Sequence, residues 1–108
     1  MAKVTITIKE RTQLPFRFST ENAAGGPVTP GSLRWRVDCL TTSLEALDWQ
    51  VVVAGAVYDG VVPASANVIK NNVNPSEKKR LTVEANFGLD TQWSEHAEYT
   101  VINNRFVV

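Results

Sequence analysis

The run Arg80–Phe87 sets the terms for any fold this chain can adopt. Leu81, Val83 and Ala85 fall at one phase, and Thr82, Glu84 and Asn86 at the other. Successive side chains of an extended chain point to opposite sides, so this pattern predicts a strand with one face in a core and one in water. Gly88 ends the run. A second alternating run follows, in which Ala97, Tyr99 and Val101 oppose Glu98, Thr100 and Ile102, with Leu89–Gln92 as the turn between. Two such runs across a short connection form an antiparallel pair, expected at the centre of a β-sandwich.

The same period recurs along the chain. Val4, Ile6 and Ile8 alternate with Thr5, Thr7 and Lys9, and the β-branched residues favour a first strand. Leu14, Phe16 and Phe18 alternate with Pro15, Arg17 and Ser19; Pro15 cannot donate a ladder hydrogen bond and belongs at a strand start or a sheet edge. Glu21–Gly31 carries Gly25, Gly26, Pro27, Pro30 and Gly31 and reads as a loop. Leu33, Trp35, Val37 and Cys39 alternate with Arg34, Arg36 and Asp38, which turns Trp35 into the core and both arginines outward. Thr41–Leu47 reads as a loop or a bend between sheets, and Trp49–Ala54 as a strand closed by Gly55. In Val57–Pro63, Asp59-Gly60 is a turn pair, giving a hairpin tip or a short strand at Val61-Val62. Pro63–Val68 predicts a short helical turn that crosses between sheets. Glu77, Lys78, Lys79 and Arg80 read as a solvated loop end leading into the central strand. Trp93 either opens the last strand or caps the end of the core.

Strand candidates spaced in this way, with turn chemistry between them, predict an all-β fold: an antiparallel β-sandwich of about seven to eight strands. At 108 residues the expectation is one domain spanning 1–108, with 103–108 a C-terminal tail available for contacts. Eleven basic and eleven acidic residues cancel, so no global field draws the chain to nucleic acid or a membrane. The single cysteine, Cys39, excludes an internal disulfide and sits where a small core residue is needed. No apolar run has the length of a membrane-spanning helix, and the opening residues lack an apolar signal region. These features read as a chain assembled in a reducing cytoplasm.

Catalysis needs convergent polar groups with matched roles. The one histidine, His96, would need an orienting partner and a nucleophile to act as a base; its phase makes it a solvent-facing strand residue. One Cys and one His far apart do not make a zinc site, and no calcium or phosphate loop is present. The expectation is no enzyme, cofactor or metal. Trp49, Tyr58 and Trp93 would serve a carbohydrate or cell-surface ligand if exposed, although core roles for two of them are favoured. Trp35 points away from Arg34 and Arg36, which disfavours binding of single-stranded nucleic acid.

Four stretches together resemble a family. Val4–Glu10, the Leu33–Leu40 strand, the Pro63–Asn67 turn and the Leu81–Gly88 strand resemble the small immunoglobulin-like structural proteins of tailed bacteriophages. The resemblance implies an immunoglobulin-like sandwich in the virion, decorating the capsid or bridging components at the neck or tail, in several symmetric copies. The implied partners are capsid, portal or tail proteins. Exposure places the contacts on the first strand with Val4, Ile6 and Ile8, on the Ala23–Gly31 loop, and on the tail with Arg105, Phe106, Val107 and Val108. Arg34 and Arg36 would add polar rim contacts. The tail would either add an eighth strand at home or pair with a neighbour's sheet edge.

Overall fold

A computed structural model of the chain describes residues 6–21 and 24–106. Seven strands build two sheets: β1 (Ile6–Lys9), β2 (Leu14–Ser19), β3 (Leu33–Cys39), β4 (Leu44–Val52), β5 (Val57–Val62), β6 (Ser76–Ala85) and β7 (Trp93–Ile102). One sheet has the order β1-β7-β6-β3-β4; the other is the pair β2-β5. All neighbours are antiparallel except β1, which runs parallel to β7 with Ile6 opposite Tyr99. The expected antiparallel pair is present as β6 and β7, and β3 completes the middle of the large sheet.

The core lies between the layers. Leu33, Trp35 and Val37 from β3 and Leu81, Val83 and Ala85 from β6 are buried, each at its expected phase. Phe16 and Phe18 of β2 and Tyr58 of β5 meet them from the small sheet. Phe16 packs edge-on to Trp35 at 5.1 Å between ring centres, and the Trp35 indole N–H donates to the Tyr58 hydroxyl at 3.3 Å. Phe18 packs on Trp93, which opens β7. Aromatic pairs in such tilted geometries add to the area they bury, so these rings tie the two sheets together.

Four local expectations are corrected. Strand β4 begins at Leu44, so most of the segment read as a loop or bend is strand. Its pairing with β3 shifts register twice, between Trp35 and Val37 and again between Val37 and Asp38, and these bulges erase the simple alternation. Asp59-Gly60 lies inside β5, not in a turn: Asp59 faces Arg17 across the pair, and Gly60 faces Phe16. Strand β6 begins at Ser76, so the charged run Glu77–Arg80 is strand, and two of its members point inward. Asn104–Phe106 is a 3₁₀ turn, so the described part of the tail adds no eighth strand. The short helical turn expected after Pro63 is present at Ala64–Ala66.

Gly60 is dictated by the rings above it. A Cβ at this position would lie 2.4 Å from the Phe16 Cζ and 2.7 Å from the Tyr58 Cε2. Both rings are pinned, Phe16 against Trp35 and Tyr58 by its hydrogen bond, so neither can withdraw without opening the layer. Gly60→Ala should therefore lower the unfolding free energy by about 1–3 kcal/mol, the usual range for overpacking, read as a lower urea midpoint at unchanged slope.

Candidate functional site

Three features of the molecule are built beyond simple packing: a polar cluster inside one end of the sandwich, an arginine–aromatic array on the outer face of the large sheet, and a cleft between β2 and β7.

The polar cluster follows from the pleat. Phase continuity along β6 carries the inward side from Leu81 to Lys79 and then Glu77, and both side chains are fully buried. The Glu77 carboxylate accepts from the backbone N–H of Lys70 at 2.7 Å, that of Asn71 at 2.9 Å and the Asn74 amide at 3.1 Å. The Cys39 thiol donates to it at 3.6 Å and the Lys79 ammonium at 3.5 Å. Lys79 also donates to the Val68 carbonyl at 2.8 Å. Beside them the Tyr99 hydroxyl donates to the Asn67 side-chain oxygen at 2.6 Å, and the Asn67 amide donates to the Thr12 carbonyl. Burial of an unpaired charge is prohibitive, whereas a carboxylate with this many donors is held ionised. Burial pushes the Glu77 carboxyl up. The backbone donors at Lys70 and Asn71, the Asn74 amide and the Lys79 charge outweigh it, leaving Glu77 below the ordinary glutamate value. Burial, reinforced by Cys39, pushes the Tyr99 hydroxyl up.

On the outer face the expected arginines stand side by side. The Arg34 guanidinium bonds Glu84 at 2.7 Å and lies 4.0 Å from the Trp49 ring centre and 4.6 Å from that of Phe87. Arg36 bonds Asp38 at 2.7 Å and Glu45 at 3.1 Å and reaches Trp49 at 5.3 Å. Both point outward as the alternation requires, and both are engaged by their own sheet. Stacked guanidinium and ring hold each other in place.

The cleft, of about 350 Å³, has Phe16, Phe18, Leu81, Val83, Trp93 and Ala97 in its lining. Arg17, Ser19, Glu95 and His96 line it too. His96 is exposed, as expected. Among the described residues no cluster of three or more metal-ligating side chains occurs, and no helix is long and apolar enough to cross a membrane.

The remaining contact candidates are spread out. Ile6 and Ile8 are half-buried and pack on the core, leaving the backbone edge of β1 outermost. Arg105 and Phe106 sit in the 3₁₀ turn after β7. Val4, Ala23, Val107 and Val108 lie outside the described residues. Of the aromatics singled out as ligand platforms, Tyr58 and Trp93 pack against the core, and Trp49 lies under the arginines. The sequence reading missed the Glu77–Lys79 pair and the exposed apolar side chains of β4. The inward phase of Glu77 and Lys79, four and two residues before Leu81, was the available signal. Compared with family models, curated proteins and solved structures, the chain finds no match.

Glu77 makes stability depend on pH. Its folded value lies below that of the unfolded chain, so its contribution is complete above the ordinary glutamate range and is lost as pH falls through the lowered folded value. Urea unfolding of the wild-type chain and Glu77→Gln should differ most at about pH 7 and converge toward about pH 3. On the outer face, a double-mutant cycle removing Arg34 and Glu84 should return a coupling of about 1 kcal/mol, since both side chains are partly shielded.

Proposed function

We propose that this chain is a non-enzymatic structural protein of a tailed-phage particle, an immunoglobulin-like sandwich that decorates the capsid or bridges components at the neck or tail. One observation carries the reading: the outermost strand of the large sheet, β4, is nine residues long and exposes apolar side chains along its open edge. Val51 is 70% exposed and the following Val53 is 92% exposed. Leu44 at the start of the strand and Val57 and Val61 on the small sheet are exposed as well. Proteins that stay single blunt such edges with proline, lysine or a covering segment. Bulges and the charges of Glu45 and Asp48 interrupt this edge in its first half, and the apolar stretch beyond them suits a chain whose working state is in contact with others.

Two further points support the reading. The orders β4-β3-β6-β7 and β2-β5 correspond to the C′-C-F-G and B-E arrangement of immunoglobulin-type sandwiches. The four stretches that resemble small virion proteins fall on β1, β3, the turn after β5, and β6 with the turn that follows it. Weak contacts made by many copies on a symmetric particle would add up through multivalency.

The test is the particle itself. In density-purified particles from the same source, quantitative mass spectrometry should find this chain at a fixed multiple of the capsid subunit. Its absence from particles that contain every other structural protein would overturn the reading. The double substitution Val51→Asp with Val53→Asp should cut incorporation by about tenfold or more. The melting temperature should stay nearly unchanged, because exposed positions cost within about 0.5 kcal/mol.

A further inference from the structure

The polar cluster has a reach that packing alone does not require. The 67–75 loop touches three parts of the chain. Its Lys70 and Asn71 backbone and the Asn74 side chain grip the Glu77 carboxylate of β6. Its Asn67 carbonyl accepts the Arg11 N–H, and the Asn67 amide reaches the Thr12 carbonyl, fixing the connection from β1 to β2. Its Asn72 and Asn74 carbonyls hold the amide of buried Asn103 at 3.1 Å and 3.0 Å, and the Pro75 carbonyl accepts the Asn103 backbone N–H. Asn103 in turn accepts the Arg105 N–H at 3.0 Å, which sets the turn that leads out of β7. The Asn104 N–H is taken by the Glu10 carboxylate at 2.9 Å, so the two connections also bond each other.

We infer that the 67–75 loop is a latch closed by the Glu77 carboxylate. While that carboxylate is charged, it orders the loop over the end of β6, and the loop holds both the residue 10–12 connection and the residue 103–105 turn. When the charge is removed, the loop and both connections loosen together while the two sheets stay assembled. The physical basis is the division of labour inside the sandwich. The aromatic and aliphatic half of the core, around Trp35, Leu81 and Val83, uses none of these polar contacts. Ile69 at the start of the loop packs half-buried against the core, but Lys70, Asn71, Asn72 and Val73 are exposed, and the order of this outer part rests on the donors it sends inward. Segments held by few apolar contacts open at lower free energy than the strands beneath them.

The groups that face Glu77 make the latch respond to charge. Lys79 stands on its own strand, Cys39 comes from β3, and Tyr99 of β7 stands across from Lys79. From the loop come two backbone donors and one neutral amide. Protonation of Glu77 turns the acceptor of the Lys79, Cys39, Asn74 and loop backbone donors into a group that must itself donate, while the Tyr99 hydroxyl stays on Asn67. In a cluster already crowded with donors, the oxygen that takes the proton no longer serves its loop N–H, and the remaining bond loses the help of the charge.

Native-state hydrogen exchange on the intact chain tests this. In Glu77→Gln, the amides of Lys70, Asn71, Asn103 and Arg105 should exchange about tenfold faster or more. Those of Val37, Leu81 and Val83, in strands paired on both sides, should change by less than about threefold. A uniform acceleration at all seven sites would mean that Glu77 supports global stability alone, and no acceleration would mean that the carboxylate closes nothing; either result overturns the latch. Asn74→Ala removes one donor and keeps the charge, and should speed the same four amides by a smaller factor. If the loop amides respond while Asn103 and Arg105 do not, the coupling to the chain's last turn is wrong. Should Glu77→Gln fail to fold, acidifying the unaltered chain through the lowered Glu77 value, to about pH 3, with correction for intrinsic exchange, reads the same sites.

Discussion

The burial of Glu77 is the constraint around which one end of this molecule is arranged. A strand's pleat sends every second side chain to the same face regardless of its polarity. Once Leu81, Val83 and Ala85 are committed to the core, Lys79 and Glu77 must follow them inward, and both are buried completely. The chain cannot avoid this by slipping one residue, because that would turn the whole apolar set of β6 out into water. The remaining solution is to bring partners to the charges. The 67–75 loop folds over the strand end for that purpose, and Asn67, Asn74 and Asn103 supply the neutral polar groups that complete the cluster.

The other half of the sandwich is solved by shape. Phe16, Trp35 and Tyr58 meet between the sheets, and Gly60 leaves the space that lets them do so. The large sheet's outer face is held by Arg34, Arg36 and Trp49 stacked on one another, with Glu84, Asp38 and Glu45 as counter-charges. A buried pair such as Glu77 and Lys79 is a poor source of net stability compared with apolar residues of the same volume, and its known use is to specify one arrangement over others. Here the arrangement it specifies is the position of a loop and of two connections near the first and last strands. Under the proposed structural role, those connections and the open edge of β4 are what the molecule has to offer a neighbour.

The layers were legible in the sequence because they depend on period alone. Trp35 inward, Arg34 and Arg36 outward, and the pairing of β6 with β7 all follow from alternation over six or more residues. What was illegible depended on partners outside the run being read. The run Glu77–Arg80 looks like solvated charge until the loop donors at Lys70, Asn71 and Asn74 are seen beside it. Asp59-Gly60 has turn chemistry locally, and its place in a strand is set by Phe16 more than forty residues earlier. Ala46 and Leu47 lost their alternation to bulges, which insert a residue without leaving a sequence mark. For the contact surface, the sequence pointed to the ends of the chain, whereas the exposed Val51 of β4 and Val53 just beyond it emerge only once that strand is known to be outermost.

The central claim is that an ionised glutamate and a lysine lie together inside the sandwich and order what surrounds them. A carbon-detected NMR titration of the Glu77 side-chain carboxyl, read alongside the Lys79 ammonium resonance, measures this directly. The account predicts that the Glu77 carboxyl titrates below the ordinary glutamate range and that the Lys79 ammonium protons are slow enough to be seen, with nuclear Overhauser contacts to Val68. A Glu77 carboxyl titrating at its ordinary value, together with Lys79 protons lost to rapid exchange with water, would contradict it.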